Sequence, residues 1–391
     1  MLDGINVVLG VSGSIAAVRC VELIHEFKRY GAAVRVVMSP SATDIIHPWS
    51  LEFASGSPVV TTLTGAVEHI DLCAPDGWGD VFVIAPATAN TIGKVATGID
   101  DTPVTTCATT AIGSSMPVVV APAMHEPMYE HPLINDHLET LKARLGAVIA
   151  PPRIEEEKAK IAADETIILA TARAVGDTPL ADKHVVVSSG STTESIDPIR
   201  ILSTRASGRT GRAIARALFV SGASVTLLHD GPKRVPYAEV IQVESAVELE
   251  EAAVEAVQSA DAYVAAAAVS DFTTEPRSEK IPSGEPLSIE LRPTNKVIDA
   301  VRSVAPDLPV VGFKAETSGD DEELIDRARE LIERYDLAFA VANDASVMGE
   351  EMTRVIIVLP DGTDELSGPK YEVATGIVAH LEAHLDRVRT K

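Results

Sequence analysis

The sequence predicts an α/β protein of two domains, each a mainly parallel sheet with helices packed against it. Three observations carry this. Short apolar runs rich in valine, each bounded by turn residues and followed by a helical pattern, recur along the chain. The chain has 391 residues, more than one ordinary core encloses. The strand–turn–helix pattern also starts afresh after a turn-rich, polar stretch, GDTPLADKH, at 176–184. The expected domains are 1–178 and 182–391.

Composition bounds the rest. Hydrophobic residues make up 46% and charged residues 23%, as in a folded globular chain. No apolar run approaches the roughly 20 residues that cross a bilayer, so no membrane partner is expected. The opening MLDGINVVLG lacks the basic flank of a signal peptide, and a cytoplasmic location is expected. Cys20, Cys73 and Cys107 are too few and too scattered for a disulfide framework or a metal cage. A formal charge of −24 argues against a nucleic-acid partner, because phosphate binding needs a basic face.

In the first half, residues 5–9 read as a strand. Gly10 and Gly13 of GVSGSIAA allow a tight turn, and Ser14 can cap a helix that opens at Ile15. That helix is expected to bury Ile15, Val18, Val21, Leu23, Ile24 and Phe27 and to end at Gly31. Its free N–H groups suit an anion. Ser12 takes the place of the second glycine of GxGxxG, so an ordinary strand–helix turn stays open. A strand at 34–38 follows, with Ser39 at its carboxyl end. A lone His69 sits on a short connection before the buried strand 81–85. Thr88, Asn90 and Thr91 come next, where open α/β sheets bind ligands, and a helix pattern runs from Ile92. Strand 118–120 ends in APAMHEPMYEHP, whose His125, His131 and His137 (the last just beyond) lack a tight zinc spacing. A helix at 136–145, a strand at 148–149, the charged segment PPRIEEEKAKIAADE and a helix at 166–175 follow. The charged segment reads as a mobile flap or a plain surface loop.

These motifs, GVSGSIAA, the Ser39 position, the lone His of HIDL, APATANTIGKVATGIDD and APAMHEPMY, together resemble the flavin-dependent cysteine decarboxylases, specifically phosphopantothenoylcysteine decarboxylase. The resemblance implies a Rossmann-like, flavodoxin-type sheet with FMN held between subunits of a trimer. It places the FMN phosphate at Gly13 and Ser14 and the flavin against Ser39, Thr88, Asn90 and Thr91. It makes His69 the catalytic base, and histidine titrates near neutral pH as that role requires. The flavin supplies the electron sink that a cysteinyl carboxylate lacks. Two positions depart from the pattern. His125 stands where the family has an asparagine for the substrate carboxylate, and no cysteine follows Cys107 to serve as the flap's proton donor. The resemblance leaves Arg153, Lys158 or Lys160 to clamp the anionic substrate.

The second half opens with a strand at 185–187 and a small-residue loop at 190–193. Ser207-Gly208-Arg209-Thr210-Gly211 then starts a helix to Ser221, a helix N-terminus that suits a polyphosphate or a generic crossover. Strand 263–267 leads to Asp271, Lys280 stands in a loop, and Lys296 lies in the first turn of a helix, where the dipole disfavours a cation. A strand VVGFKAET, a helix to Arg334, a strand at 338–341 followed by Asn343-Asp344, a strand at 355–359 and a terminal helix complete the chain. SGSTTESIDPIR, ASGRTG, AAVSDF, Glu279-Lys280, GFKAET and AND resemble phosphopantothenate–cysteine ligase.

The two halves in this order resemble the bifunctional coenzyme A biosynthesis proteins of bacteria and archaea. The resemblance implies a ligase that activates 4′-phosphopantothenate with CTP, with Mg²⁺ on the triphosphate. At its strand's carboxyl end, Asp271 is a candidate ligand for Mg²⁺ or for a base edge, with a turn cap as the plain alternative. The resemblance places Ala267, Asp271, Lys280, Lys296 and Phe313 around the nucleotide and Ser207 and Gly208 at its phosphates. Lys280 and Thr204 are the catalytic candidates, although Thr204 replaces the family's asparagine and Pro282 and Ser283 replace its further lysines. One of Arg327, Arg329 and Arg334 is expected to reach the triphosphate. The partners implied are small-molecule substrates and further copies of the chain, with trimeric contacts in the first half and dimeric contacts in the second combining to a dodecamer. Two alternatives stay open: a single active half, or a non-catalytic FMN- or nucleotide-binding regulatory subunit.

The excess of 57 acidic over 33 basic residues also fits a salt-adapted (halophilic) cytosol, where ions screen self-repulsion. The expected result is a higher thermal unfolding midpoint in about 2 M than in about 0.1 M potassium chloride. Equal midpoints would remove this reading.

Overall fold

The run NVVLGV forms β1 (Asn6–Val11), and Val7 to Val11 are buried, as the lack of polar alternation requires of a strand covered on both faces. The structure is a computed structural model that describes all residues except 157, 285, 317–319, 345–351 and 390–391. The chain divides into two units, Met1–Asp177 and Thr178–Lys391.

In the first unit, Ser14 accepts a hydrogen bond from the Ala16 N–H and caps a tight 3-10 turn, Ile15–Arg19. α1 (Cys20–Arg29) follows and buries Cys20, Leu23, Ile24 and Phe27. The expected apolar stripe from Ile15 is corrected here. Ile15 is 77% and Val18 51% exposed, because three residues per turn do not continue the α-helical stripe. Next come β2 (Ala33–Met38), α2 (Pro40–Thr43), α3 (Pro48–Ser55) and α4 (Glu68–Cys73). His69 therefore lies on a helix rather than a loop connection. β3 (Val81–Ala87) is buried at every position. α5 (Ala89–Thr97) starts three residues before the expected Ile92, because the Thr88 side chain accepts from the Thr91 N–H and caps it.

α6 (Pro103–Gly113), β4 (Val118–Pro122), β5 (Met124–His125), α7 (Glu126–Tyr129) and α8 (Pro132–Glu139) follow. The single helix expected at 136–145 instead passes into a wide π turn, Thr140–Arg144. The Thr140 hydroxyl donates back to the Asp136 carbonyl at 2.8 Å, a bond that bends helices. With β6 (Val148–Ile149) the sheet order is β2-β1-β3-β4-β6, all parallel. The charged segment is not a plain loop. It forms a hairpin, β7 (Arg153–Glu155) and β8 (Lys158–Lys160), and β8 pairs antiparallel with β5, placing Lys158 opposite His125. α9 (Asp164–Val175) closes the unit.

The second unit begins with β9 (His184–Ser188), the hairpin β10 (Thr193–Ser195) and β11 (Ile201–Ser203), then α10 (Arg209–Val220), β12 (Ser224–His229), β13 (Glu239–Gln242) and α11 (Ala246–Ala256). β14 (Ala262–Ala265), the short pair β15 (Phe272–Thr273) and β16 (Arg292–Pro293), α12 (Val297–Val304), β17 (Val310–Glu316) and α13 (Asp321–Tyr335) follow. Thr317, the expected end of the VVGFKAET strand, lies outside the described residues. β18 (Phe339–Asp344) includes Asn343 and Asp344, which the sequence placed after it. β19 (Met352–Leu359), β20 (Gly362–Pro369) and α14 (Lys370–Arg389) end the chain. The sheet order is β13-β12-β9-β14-β17-β18-β19-β20; the first six strands are parallel and the last two antiparallel.

Gly211 lets α10 lie close to the end of β9, since a Cβ there would stand 2.6 Å from the Ser189 side chain. Gly211→Ala is expected to destabilise the second unit by about 1–3 kcal/mol through overpacking. Urea unfolding followed by fluorescence checks this, and an unchanged midpoint would contradict it.

Candidate active sites

At the carboxyl edge of the first sheet the loops after β2, β1 and β3 meet, because those strands are neighbours. Ser12 ties two of them together. Its hydroxyl donates to the Pro86 carbonyl at 2.7 Å and accepts the Thr88 N–H at 3.0 Å. Gly13 lies so close to Ser41 that a Cβ would meet its hydroxyl at 2.3 Å. The Ser39 and Ser41 hydroxyls are 3.2 Å apart, and those of Thr88 and Thr91 3.0 Å. Gly13, Ser14, Ser39, Thr88, Asn90 and Thr91 therefore lie on adjacent loops of one edge. The Ala123 N–H donates to the Ala87 carbonyl at 3.0 Å, which brings the start of the His125 segment to the same edge. His69 stands on α4, and its Nδ1 is buried with no hydrogen-bond partner among the described residues. In the hairpin, Lys160 bonds Glu155 and Glu156, while Arg153 bonds Glu155 and the Ile161 carbonyl.

The second sheet carries a cavity of about 330 Å³ at the same kind of edge. Ser207, Gly208, Ala267, Asp271 and Phe313 line it, together with Arg209, Lys314, Asn343 and Lys370. Gly208 caps α10 at a left-handed φ of +68°, and a Cβ there would stand 3.0 Å from the Gly190 backbone, an approach that favours a residue without a side chain. Asp271 accepts from Lys296 Nζ at 2.5 Å, so Lys296 reaches the cavity's rim through that carboxylate. Lys280 and Thr204 do not line it.

The chain matches two family models. Residues 1–176 match Flavoprotein, and residues 180–385 match the DNA/pantothenate metabolism flavoprotein C-terminal domain. It is 46% identical over 373 residues to the coenzyme A biosynthesis bifunctional protein CoaBC of Thermococcus kodakarensis, covering 93% of this chain and 91% of that one. The CoaBC protein of Methanocaldococcus jannaschii is 34% identical, with 98% of this chain and 94% of that one covered. That of Bacillus subtilis is 33% identical, with 93% and 92% covered. The chain belongs to the bifunctional coenzyme A biosynthesis family.

The α13 arginines expected at the triphosphate have contacts along their own helix. Arg327 pairs with Glu323, Arg329 with Asp326, and Arg334 stacks on Tyr335. None of the three lines the cavity, whose cations are Arg209, Lys314 and Lys370. Sequence reasoning quoted Lys314 within GFKAET without giving it a role, and it passed over Lys370, which no quoted motif contains. It also passed over Asp197 as the anchor of the Lys280 loop. The buried Asp197 accepts the Ile281 N–H at 3.0 Å, and Arg200 donates to the Ile281 carbonyl at 3.1 Å. Burial pushes the Asp197 carboxyl up, but the N–H groups of Ile281, Ile199 and Arg200 and the Arg200 guanidinium hold it well below the usual carboxylate range.

His229, beside Gly190, is buried with neither ring nitrogen partnered among the described residues. Burial first, then Arg212, lowers its pKa, against an opposing effect of Asp230. A depressed pKa means the folded state favours the neutral ring. Its contribution is complete above about pH 6.5 and lost as pH falls below that value. His229→Asn is expected to shrink the drop in unfolding midpoint between about pH 7.5 and about pH 5.5. Equal drops in both proteins would contradict the assignment.

Proposed function

We propose that this chain makes 4′-phosphopantetheine from 4′-phosphopantothenate and cysteine, using CTP in the second unit and FMN in the first. The observation that supports this best is the pairing of two different edge sites on one chain that matches bifunctional relatives end to end.

In the ligase unit, the substrate carboxylate attacks the α-phosphorus of CTP and pyrophosphate leaves. The cysteine amine then displaces CMP from the acyl-cytidylate. The leading N–H groups of α10, with Ser207 and Gly208, receive phosphate oxygens, while Ala267 and Phe313 offer a surface for the base. Asp271 is the carboxylate among the cavity's described lining residues, so a magnesium ion would take its other ligands mostly from the triphosphate. Lys280 acts from the loop that Asp197 holds, and Thr204 offers a hydroxyl in place of the relatives' amide.

The first unit fits FMN on two counts. Gly13 lets Ser41 and the Ser39 loop pack against the β1 loop, which gathers hydroxyls at one edge, and His69 Nδ1 is buried with no hydrogen-bond partner among the described residues. The flavin supplies the electron sink for loss of CO2. Gly13 and Ser14 hold its phosphate, and Ser39, Thr88, Asn90 and Thr91 line the ring system. His69 Nδ1 receives the thiol proton, His125 meets the substrate carboxylate, and Arg153, Lys158 and Lys160 set positive charge over the anionic substrate. The enzyme works as a homo-oligomer in the cytoplasm, where CTP is available. Large exposed apolar side chains support self-association: Ile15, Trp49 and Phe53 in the first unit, Ile199, Phe272 and Leu291 in the second. They suit trimeric and dimeric contacts respectively, which together build a dodecamer.

Two variants separate the activities. His69→Asn is expected to lower CO2 release by about 10²–10⁴-fold and to leave CTP-dependent pyrophosphate release intact. Asp271→Asn is expected to do the reverse when 4′-phosphopantothenoylcysteine is supplied directly. Loss of both activities in either variant, or of neither, would contradict the reading.

A further inference from the structure

Two helices begin at the cavity of the second unit, and each begins with a cation: Arg209 opens α10 and Lys370 opens the 20-residue α14. A cation there opposes the helix macrodipole. Three other helices follow the dipole. The first turns of α9, α11 and α13 carry Asp164 and Glu165, Glu248, and Asp321 to Glu323. α14 does hold Glu372 in its first turn, but α10 holds no acid there. Charge along the sequence says the same. Residues 205–234 contain Arg205, Arg209, Arg212, Arg216, Lys233 and Arg234 against the single acid Asp230, in a chain where acids outnumber bases 57 to 33. Lys370 is half-buried, and α14 packs along α10. Two helix N-termini, each with a leading cation, thus converge on one cavity.

A bound polyanion fits this arrangement. It faces the leading N–H groups of α10 and the two cations that line the cavity. We propose that Lys370, acting with Arg209, binds the polyphosphate of the nucleotide beyond its α-phosphate. The inference rests on the nucleotide reading of the cavity. It assigns to these two residues the neutralising role expected of α13's arginines, which lie elsewhere.

Calorimetric binding to the full-length chain in magnesium chloride tests it, with CTP, CMP, inorganic tripolyphosphate and 4′-phosphopantothenate as separate ligands. Lys370→Met is expected to weaken CTP and tripolyphosphate by about tenfold or more and CMP by less than about twofold, while Lys370→Arg binds like the wild type. Arg209→Met is expected to show the same ligand pattern and gives a second variant should one fold poorly. Unchanged CTP affinity in Lys370→Met overturns the inference. So does an equal loss for CTP and CMP, or a loss confined to 4′-phosphopantothenate, which would move the lysine to the acyl substrate's phosphate. A wild-type chain that binds neither CTP nor tripolyphosphate overturns the nucleotide reading itself, a failure distinct from the variant's.

Discussion

A parallel sheet ends all its strands on one edge, and the helices that follow begin there with backbone N–H groups that have no partner inside the helix. Both units of this chain depend on that constraint. In the first, Ser12 fastens the β1 loop to the β3 loop through Pro86 and Thr88, so small hydroxyl residues from separate stretches share one edge. In the second, Gly208 and Gly211 lack the side chains that would hold the α10 N-terminus away from Gly190 and Ser189 after β9. Loop chemistry then decides what each edge binds.

The two edges differ in charge. The first presents the hydroxyls of Ser12, Ser39, Ser41, Thr88 and Thr91, and the hairpin that pairs with β5 carries Arg153, Lys158 and Lys160. The second gathers Arg209, Lys314 and Lys370 about a cavity with Asp271 held by Lys296. A neutral edge suits a flat ring system with one phosphate, and a cationic one suits a triphosphate. On a chain of net charge −24, this local gathering of bases runs against the overall charge.

Much of this was legible in the sequence. Fully buried strands such as β3 and β9 announce themselves as apolar runs, and Ser14 and Thr88 announce helix starts by their capping chemistry. The polar edge strand β20 did not, because a strand exposed along most of its length needs no apolar alternation. The exposure of Ile15 and Val18 was equally hidden, since a 3-10 turn and an α-helix share the same residues and differ only in period. Candidate site residues stand out in the sequence where they come in fixed local order. That Lys314 and Lys370 line one cavity, and that Asp197 accepts the Ile281 N–H, depends on tertiary proximity, which spacing does not encode.

The most direct test of the central claim, two linked activities on one chain, is a coupled assay of the purified protein. It supplies 4′-phosphopantothenate, cysteine, magnesium and either CTP or ATP, and follows pyrophosphate, CO2 and the flavin spectrum together. The account predicts yellow protein that releases pyrophosphate and CO2 in equal amounts with CTP. Flavin-loaded protein that releases neither would leave only a binding role and contradict it, and pyrophosphate without CO2 would confine activity to the second unit.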